Sequence, residues 1–130
     1  MLDTNTCIHL IKNKPLQVAR KLSDVPVGGI VISSIVLAEL WFGIASSRDK
    51  KKNEAALDDF LQYAIVHDWP QEAAPIYGSV RDHLRENGTP IGANDLLIAA
   101  HALALKLPLV TDNVREFQRI PHLKLENWIR

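Results

Sequence analysis

Residues 1–5 read Met-Leu-Asp-Thr-Asn, and residues 109–113 read Leu-Val-Thr-Asp-Asn. In each stretch an apolar run, typical of a buried strand, ends at small polar and acidic residues. Asp3 and Thr4 are also typical of the start of a helix, because such side chains accept hydrogen bonds from its first N–H groups. Both stretches therefore predict a strand that leads into a helix through an acidic position.

The rest of the chain alternates further strands with helices. Strands are predicted at 30–32, 65–66, 109–111 and 123–125, and helices at 4–11, about 15–22, 35–46, 53–63, 68–87, 95–105 and 114–118. Turns are predicted at Gly28 and Gly29 and across the basic run 48–52. This alternation predicts a single α/β domain over residues 1–130 with a mostly parallel central sheet.

Two more acids stand inside apolar segments: Glu39 in Leu-Ala-Glu-Leu and Asp95 in Gly-Ala-Asn-Asp-Leu-Leu. A carboxylate beside apolar side chains is costly unless a partner compensates its charge. No matching set of lysines or arginines accompanies these acids, so a divalent cation is the expected partner. Since sites in parallel sheets gather at the carboxyl ends of the strands, we expect Asp3, Glu39, Asp95 and the Asp112–Asn113 pair to converge.

Oxygen ligands without cysteine or a close histidine pair favour Mg²⁺ or Mn²⁺ over zinc. Two such ions can hold the attacking and leaving oxygens of a phosphodiester displacement. Each acid also has a simpler explanation: Asp3 as a helix cap, Asp95 as a helix-dipole acid, and Asp112 with Asn113 as a turn. Glu39 is the hardest to explain in this way.

Other polar residues give weaker signals. His9, His83 and His101 have no partner at metal-ligand spacing, which favours structural or surface roles. Ser33 and Ser34 are good helix caps and lack the sequence context of a nucleophilic serine. Residues 50–52 are three lysines, for which a solvated turn is favoured over a contact with nucleic acid.

Composition limits the classes of protein that fit. Fifteen basic residues balance fifteen acidic ones, so the chain is not an obvious nucleic-acid binder, and a metal would have to supply positive charge. The single cysteine, Cys7, excludes an internal disulfide and fits a reducing cytoplasm. There is neither a signal-peptide pattern nor an apolar run of roughly 20 residues, which predicts a cytoplasmic protein without a membrane span.

Taken in order, these pieces resemble the PIN-domain ribonucleases, and in particular the VapC toxins of bacterial toxin–antitoxin pairs. The resemblance covers essentially all 130 residues. It is carried by residues 2–6, 32–34, 37–40, 90–95, 98–102, 109–113, 115–117 and 125–128.

The resemblance implies a three-layer α/β/α domain and a site that binds Mg²⁺, with Mn²⁺ as an alternative. It implies that Asp3, Glu39 and Asp95 are catalytic metal ligands. Asn113 falls at the family's fourth acidic position, and Asp112 is the alternative metal ligand one residue earlier. Four further residues are implied to support the ligands: Thr4, Asn5, Ser33 and Thr111.

The implied function is a metal-dependent endoribonuclease toxin that cleaves RNA, with tRNA as one candidate, and that a cognate VapB-type antitoxin neutralises. The alternative is a regulatory α/β module, either receiver-like or PIN-like without catalysis. A receiver would carry an acidic pair after its first strand and a lysine after the strand at 109–111. This chain has a single Asp3 and Asp112–Asn113 there, and the retained acids argue against a non-catalytic PIN-like protein.

Two surfaces complete the sequence-based predictions. The helix that carries Trp41 and Phe42 is apolar nearly all round, which predicts a homodimer. We expect the antitoxin to cover apolar surface near Trp41 and to place a basic side chain toward the acids. Arg115, Lys12 and Lys14 are the predicted RNA-phosphate contacts, with pairing of Arg115 to Glu116 or Asp112 as the alternative.

Overall fold

The computed structural model describes residues 1–12, 20, 23–26 and 28–128. Helices and strands alternate as the sequence predicts; the predicted helix at 15–22 lies almost wholly outside the described residues. The helices are α1 (Thr4–Ile11), α2 (Ser34–Ala45), α3 (Lys50–Leu61), α4 (Ala73–Glu86), α5 (Ala93–Leu105) and α6 (Val114–Phe117), and the strands are β1 (Val31–Ser33), β2 (Ile65–His67), β3 (Leu109–Val110) and β4 (Leu125–Glu126).

The N-terminal segment, residues 1–3, joins two pairs of parallel strands. β1 pairs with β2, and β3 pairs with β4. On one side of the segment the Leu2 N–H donates to the Val31 carbonyl at 3.0 Å. On the other side the Val110 N–H donates to the Met1 carbonyl at 2.8 Å, and the Asp3 N–H donates to the Val110 carbonyl at 3.0 Å. The order is therefore β2–β1–N-terminal segment–β3–β4.

The strand order reverses beside the N-terminal segment. From there the chain adds β1 and then β2 on one side, and it returns to add β3 and β4 on the other. In parallel sheets, ligands bind beyond the carboxyl ends of the strands at such a reversal. Asp3 and Thr111 follow the two strands that flank it, so the fold brings the two quoted stretches side by side.

One apolar core joins the strands to the helices. The strands bury Leu2, Ile32 and Leu109, while helices bury side chains such as Val36 and Ile98. Helices α1, α2 and α3 pack together, α4 packs along α5, and α2 also contacts α5. Among the described residues, no helix is long and apolar enough to span a membrane.

Two predicted helix starts are wrong. Residues 50–52, predicted as part of a turn, form the first turn of α3, because the Asp49 side chain accepts a hydrogen bond from the Lys52 N–H at 3.2 Å and caps the helix. Asp68 does not cap α4, which begins at Ala73. Pro75 therefore lies in its first turn, where a missing N–H costs no helical hydrogen bond.

Candidate active site

Asp3 lies at the carboxyl end of the N-terminal segment and caps α1. Its Oδ1 accepts a hydrogen bond from the Thr6 N–H at 2.9 Å, and the carboxylate is buried. Burial raises the pKa of Asp3, hydrogen bonds from Thr111 and Thr6 oppose that rise, and the charge of Asp112 adds to it. The helix cap and the site are thus the same carboxylate, so the capping explanation and the functional one do not exclude each other.

Glu39 projects from α2 toward α1 and the start of α5. The Thr4 hydroxyl donates to Glu39 Oε1 at 2.6 Å, and the Asn94 amide donates to Oε2 at 3.4 Å. Because Thr4 follows Asp3 and Asn94 precedes Asp95 in the chain, these two hydrogen bonds place Glu39 between the other two acids. The two hydrogen bonds stabilise the Glu39 carboxylate within an apolar helix, so its presence there does not require a basic partner.

Asp95 lies in the first turn of α5 near the other acids. Burial, followed by the negative charges of Glu39, Asp3 and Glu116, raises the pKa of Asp95 to about 6. The neighbouring charges that raise this pKa are all carboxylates. The site is therefore an electrostatically strained cluster that a cation would relieve.

The carboxyl end of β3 forms the rim of the site. The Asn113 N–H donates to the Thr111 hydroxyl at 2.9 Å, and the Asn113 amide donates to Glu116 Oε2 at 3.1 Å. Asn113 thus holds Glu116, an acid whose charge reaches Asp95, while the charge of Asp112 reaches Asp3. The sequence left open whether Asp112 or Asn113 is the fourth metal ligand. Both border the acidic cluster, Asn113 through Glu116 and Asp112 through Asp3.

Several predicted residues lie elsewhere. Asn5 is exposed on α1, and the described residues show no hydrogen bond from it to these acids. Ser33 is buried but bonds to His101 rather than to a carboxylate. Arg115 is exposed and forms no ion pair within the described ranges, which removes its predicted pairing with Glu116 or Asp112. Lys12 lines a groove beside Glu39, and Lys14 lies outside the described residues.

Sequence reasoning missed three residues that support or extend the cluster: Thr6, Asn94 and Glu116. Thr6 and Glu116 stand three residues after Asp3 and Asn113, which is the spacing at which side chains meet within one helical turn. Asn94 is adjacent to an acid already singled out. His101, for which the sequence favours a structural or surface role, is buried and contacts Ser33, a partner that is distant in the chain.

The donor atoms have the chemistry that a hard divalent cation prefers, but their present spacing does not surround one. Within the described residues, no three histidine, cysteine, aspartate or glutamate side chains lie close enough together to hold an ion as they stand. The available donors are carboxylate and amide oxygens, which Mg²⁺ and Mn²⁺ prefer. A bound cation would compensate the repulsion between these carboxylates.

The raised pKa of Asp95 predicts a stability that falls as the pH rises. Between its ordinary value of 3.8 and about 6, folded Asp95 keeps a proton that the unfolded chain has released. Stability is therefore full below about 3.8 and declines through this window. In buffer with EDTA, Asp95→Asn should raise the free energy of unfolding at pH 7.5 by on the order of 1 kcal/mol, after allowance for partial exposure.

Thermal and urea unfolding at pH 4 and pH 7.5 measure this effect. The gain should shrink at pH 4, and Asp58→Asn, which changes an exposed carboxylate on α3, should show no such pH dependence. Equal effects of Asp95→Asn at both pH values would contradict the repulsion described here.

Comparison with known proteins gives consistent matches along nearly the whole chain. Residues 1–123 match the family model described as the PIN domain. The chain is 45% identical over 129 residues to "Ribonuclease VapC2" of Rickettsia felis, with 98% of this chain and 96% of the relative covered. It is 42% identical over 128 residues to "tRNA(fMet)-specific endonuclease VapC" of Salmonella typhimurium, with the same coverage of 98% and 96%.

Two solved structures match the fold closely. One is VapBC2 from Rickettsia felis bound to a DNA fragment from the promoter, with a TM-score of 0.93, 43% identity and coverage of 98% of this chain and 97% of that one. The other is DNA-bound VapBC from Salmonella typhimurium, with a TM-score of 0.92, 41% identity and coverage of 98% and 96%.

Proposed function

The chain belongs to the PIN-domain family and is a relative of its VapC ribonucleases, and from that premise we propose that it is a metal-dependent endoribonuclease toxin of the cytoplasm. A VapB-type antitoxin neutralises it, as the VapBC complexes among its structural relatives support. The observation that carries the proposal is the environment of Asp95, where burial and three neighbouring carboxylates disfavour the charged form. The match to the PIN domain and to VapC ribonucleases favours this function over the receiver-like alternative, and the acids that converge here argue against the non-catalytic one.

Asp3, Glu39 and Asp95 would hold the ion, with Asp112 and Asn113 at the rim. Bound Mg²⁺ or Mn²⁺ supplies a local positive field for the scissile phosphate and for an attacking water. The chain's own groups fix the oxygens: the Thr6 N–H holds Asp3 Oδ1, and the Thr4 hydroxyl holds Glu39 Oε1. These hydrogen bonds orient carboxylates that repel each other, so fewer side chains have to be ordered when RNA binds.

RNA is the proposed substrate, and tRNA is the favoured class. The Salmonella relative at 42% identity is named for cleavage of tRNA(fMet), which supports a tRNA substrate for this chain. A neutral protein with an acidic mouth has little intrinsic attraction for polyphosphate, so the ion and a few nearby cations must position the backbone.

Removing single acids tests the catalytic assignment. Asp3→Ala and Asp95→Asn should each lower RNA cleavage by more than roughly 100-fold, because each removes an ion ligand. Asp58→Asn should cleave at the wild-type rate. Cleavage of a tRNA pool in Mg²⁺, Mn²⁺ and EDTA measures the effect, and circular dichroism confirms that the variants fold. Wild-type cleavage by Asp95→Asn, or full cleavage in EDTA, would refute the proposed mechanism.

Arg115 is the proposed phosphate contact closest to the site by chain connectivity. It is exposed, it stands two residues after Asn113, and it forms no ion pair within the described residues. In an Asp95→Asn background, Arg115→Ala should make the slope of log affinity against log salt shallower by about 0.7, the contribution of one phosphate on a single strand.

Filter-binding titrations of RNA between low and moderate salt measure this slope. Lys124→Ala is the matched control. Lys124 is an exposed cation just before β4, so it lies at the amino ends of the parallel strands, whereas the acids lie at their carboxyl ends. If both variants leave the slope unchanged, Arg115 holds no phosphate. Lys12 and Lys14 are the next candidates for the same titration.

Helix α2 supports the proposed contacts with the antitoxin and with a second copy. Phe42 is 74% exposed and Trp41 is 40% exposed. Another side of the same helix lines a groove of about 590 Å³, which is mostly apolar and which Glu39 borders. Exposed aromatic surface of this kind favours an interface. A basic antitoxin side chain at the Glu39 end of the groove would compete with the ion for the same carboxylates.

Truncation of these aromatic residues tests both contacts. Light scattering should show that the free chain is a homodimer. The double variant with Trp41→Ala and Phe42→Ala should weaken the homodimer, the complex with the antitoxin, or both. Tyr63→Ala, at a site 68% exposed outside α2, should weaken neither. A monomeric wild type at high concentration would exclude the dimer, and unchanged antitoxin affinity in the double variant would exclude the antitoxin contact.

A further inference from the structure

Ser33 joins the start of α2 to the middle of α5. It ends β1 and caps α2, with its hydroxyl oxygen accepting from the Ile35 N–H at 3.1 Å. The same oxygen lies 2.8 Å from His101 Nδ1, and both residues are fully buried. Ser33 therefore caps one helix and fastens it to another.

Ser34 makes a second bridge to the same helix through Trp69. The Ser34 hydroxyl oxygen accepts from the Trp69 N–H at 3.0 Å, and the Trp69 indole N–H donates to the Leu97 carbonyl at 2.9 Å. Leu97 and His101 are four residues apart, so the two bridges reach α5 one helical turn apart. We call the set Ser33, Ser34, Trp69 and His101 the serine clamp.

The protonation of His101 fits this bonding. Burial, and after it the charge of nearby His67, lowers the pKa of His101 to about 4, so the ring is neutral at physiological pH. The Ser33 oxygen, which accepts from Ile35, can also pair with Nδ1 in either neutral tautomer of the ring. The other ring nitrogen, Nε2, is buried and has no partner within the described residues.

A buried ring nitrogen without a hydrogen-bond partner costs desolvation free energy, which makes histidine a poor choice for core stability alone. An apolar side chain of similar size would fill the same space without that cost. The bond from Nδ1 to Ser33 is therefore the feature that distinguishes His101 from such a side chain.

We propose that the serine clamp is a positioning device for the active site. Glu39 lies on α2, five residues after Ser34, and Asp95 lies on α5, two residues before Leu97. These carboxylates repel each other, so contacts elsewhere between α2 and α5 have to keep the two helices together against that repulsion. Trp69 and His101 are thereby positioning residues that act through α5, an inference that rests on the proposed metal-dependent function.

Metal binding without RNA tests the clamp directly. Trp69→Phe keeps the aromatic ring and removes one N–H, and His101→Leu removes the bond to Ser33. Each should raise the dissociation constant for Mn²⁺ by roughly three- to tenfold, less than a group that touches a ligand would. His101→Asn, whose side-chain oxygen can occupy the position of Nδ1, should restore most of the affinity. Isothermal titration with Mn²⁺ provides the readout.

Trp128→Phe is the matched control. The buried Trp128 indole N–H has no partner among the described residues, so the substitution removes no hydrogen bond there. The side chain lines a cavity with Met1 and Pro108, away from the acidic cluster. It should leave Mn²⁺ affinity unchanged. At saturating Mn²⁺ the clamp variants should recover most of their kcat on RNA, with little change in KM.

The outcomes separate the clamp from the function on which it rests. Normal Mn²⁺ binding by wild type, together with unchanged affinity in folded Trp69→Phe, would overturn the clamp alone, even if the melting temperature falls. Wild-type Mn²⁺ binding that Asp95→Asn does not reduce would overturn the proposed function and the clamp with it. If His101→Leu fails to fold, Trp69→Phe and His101→Asn still decide the question.

Discussion

The hydrogen bonds of residues 1–3 to Val31 and Val110 hold the two halves of the sheet together. Without them β1 with β2 and β3 with β4 would be separate two-stranded pairs, which are marginally stable in water. The same bonds set the reversal of strand order beside Asp3. A segment of three residues thus supplies the centre of the sheet, the cap of α1 and the innermost acid of the site.

The acidic cluster works against the stability that this sheet provides. Asp3 is buried, Asp95 is surrounded by negative charge, and the clamp and threonine hydrogen bonds keep the carboxylates near one another. Such strain is typical of sites whose charge is compensated only when a ligand binds. Under the proposed function, a bound cation would compensate this charge, and binding to the folded chain alone would add to its stability.

Much of the fold follows from local sequence patterns. The apolar strand ends, the cap at Asp3, the two serines before α2 and the acid in the first turn of α5 each have a short-range physical cause, and each was predicted. The failures have the same kind of cause. Asp49 was overlooked as a cap, so residues 50–52 were assigned to a turn although they are helical.

Contacts between distant elements were harder to predict. Glu39, Asp3 and Asp95 were expected to converge because of strand topology, but nothing local links His101 to Ser33 or Glu116 to Asp95. Asn5 was predicted to support the ligands but does not. It lies between Thr4 and Thr6 in the chain, yet its position on the helix leaves it exposed to solvent. Periodicity and capping thus set the elements, while side-chain partners depend on how the elements pack.

The central position of the N-terminal segment also governs when the site can exist. Thr6, beside Asp3, bonds to the carbonyl of Val110, a residue 104 positions later in the chain. A ribosome releases the amino end first, so Asp3 emerges long before β3 is made. Contacts of this sequence separation form late, so Asp3 and Thr6 reach their places beside β3 only after residue 110 has been translated. A ribonuclease built in this way completes the sheet that positions its first acid in a late step of folding.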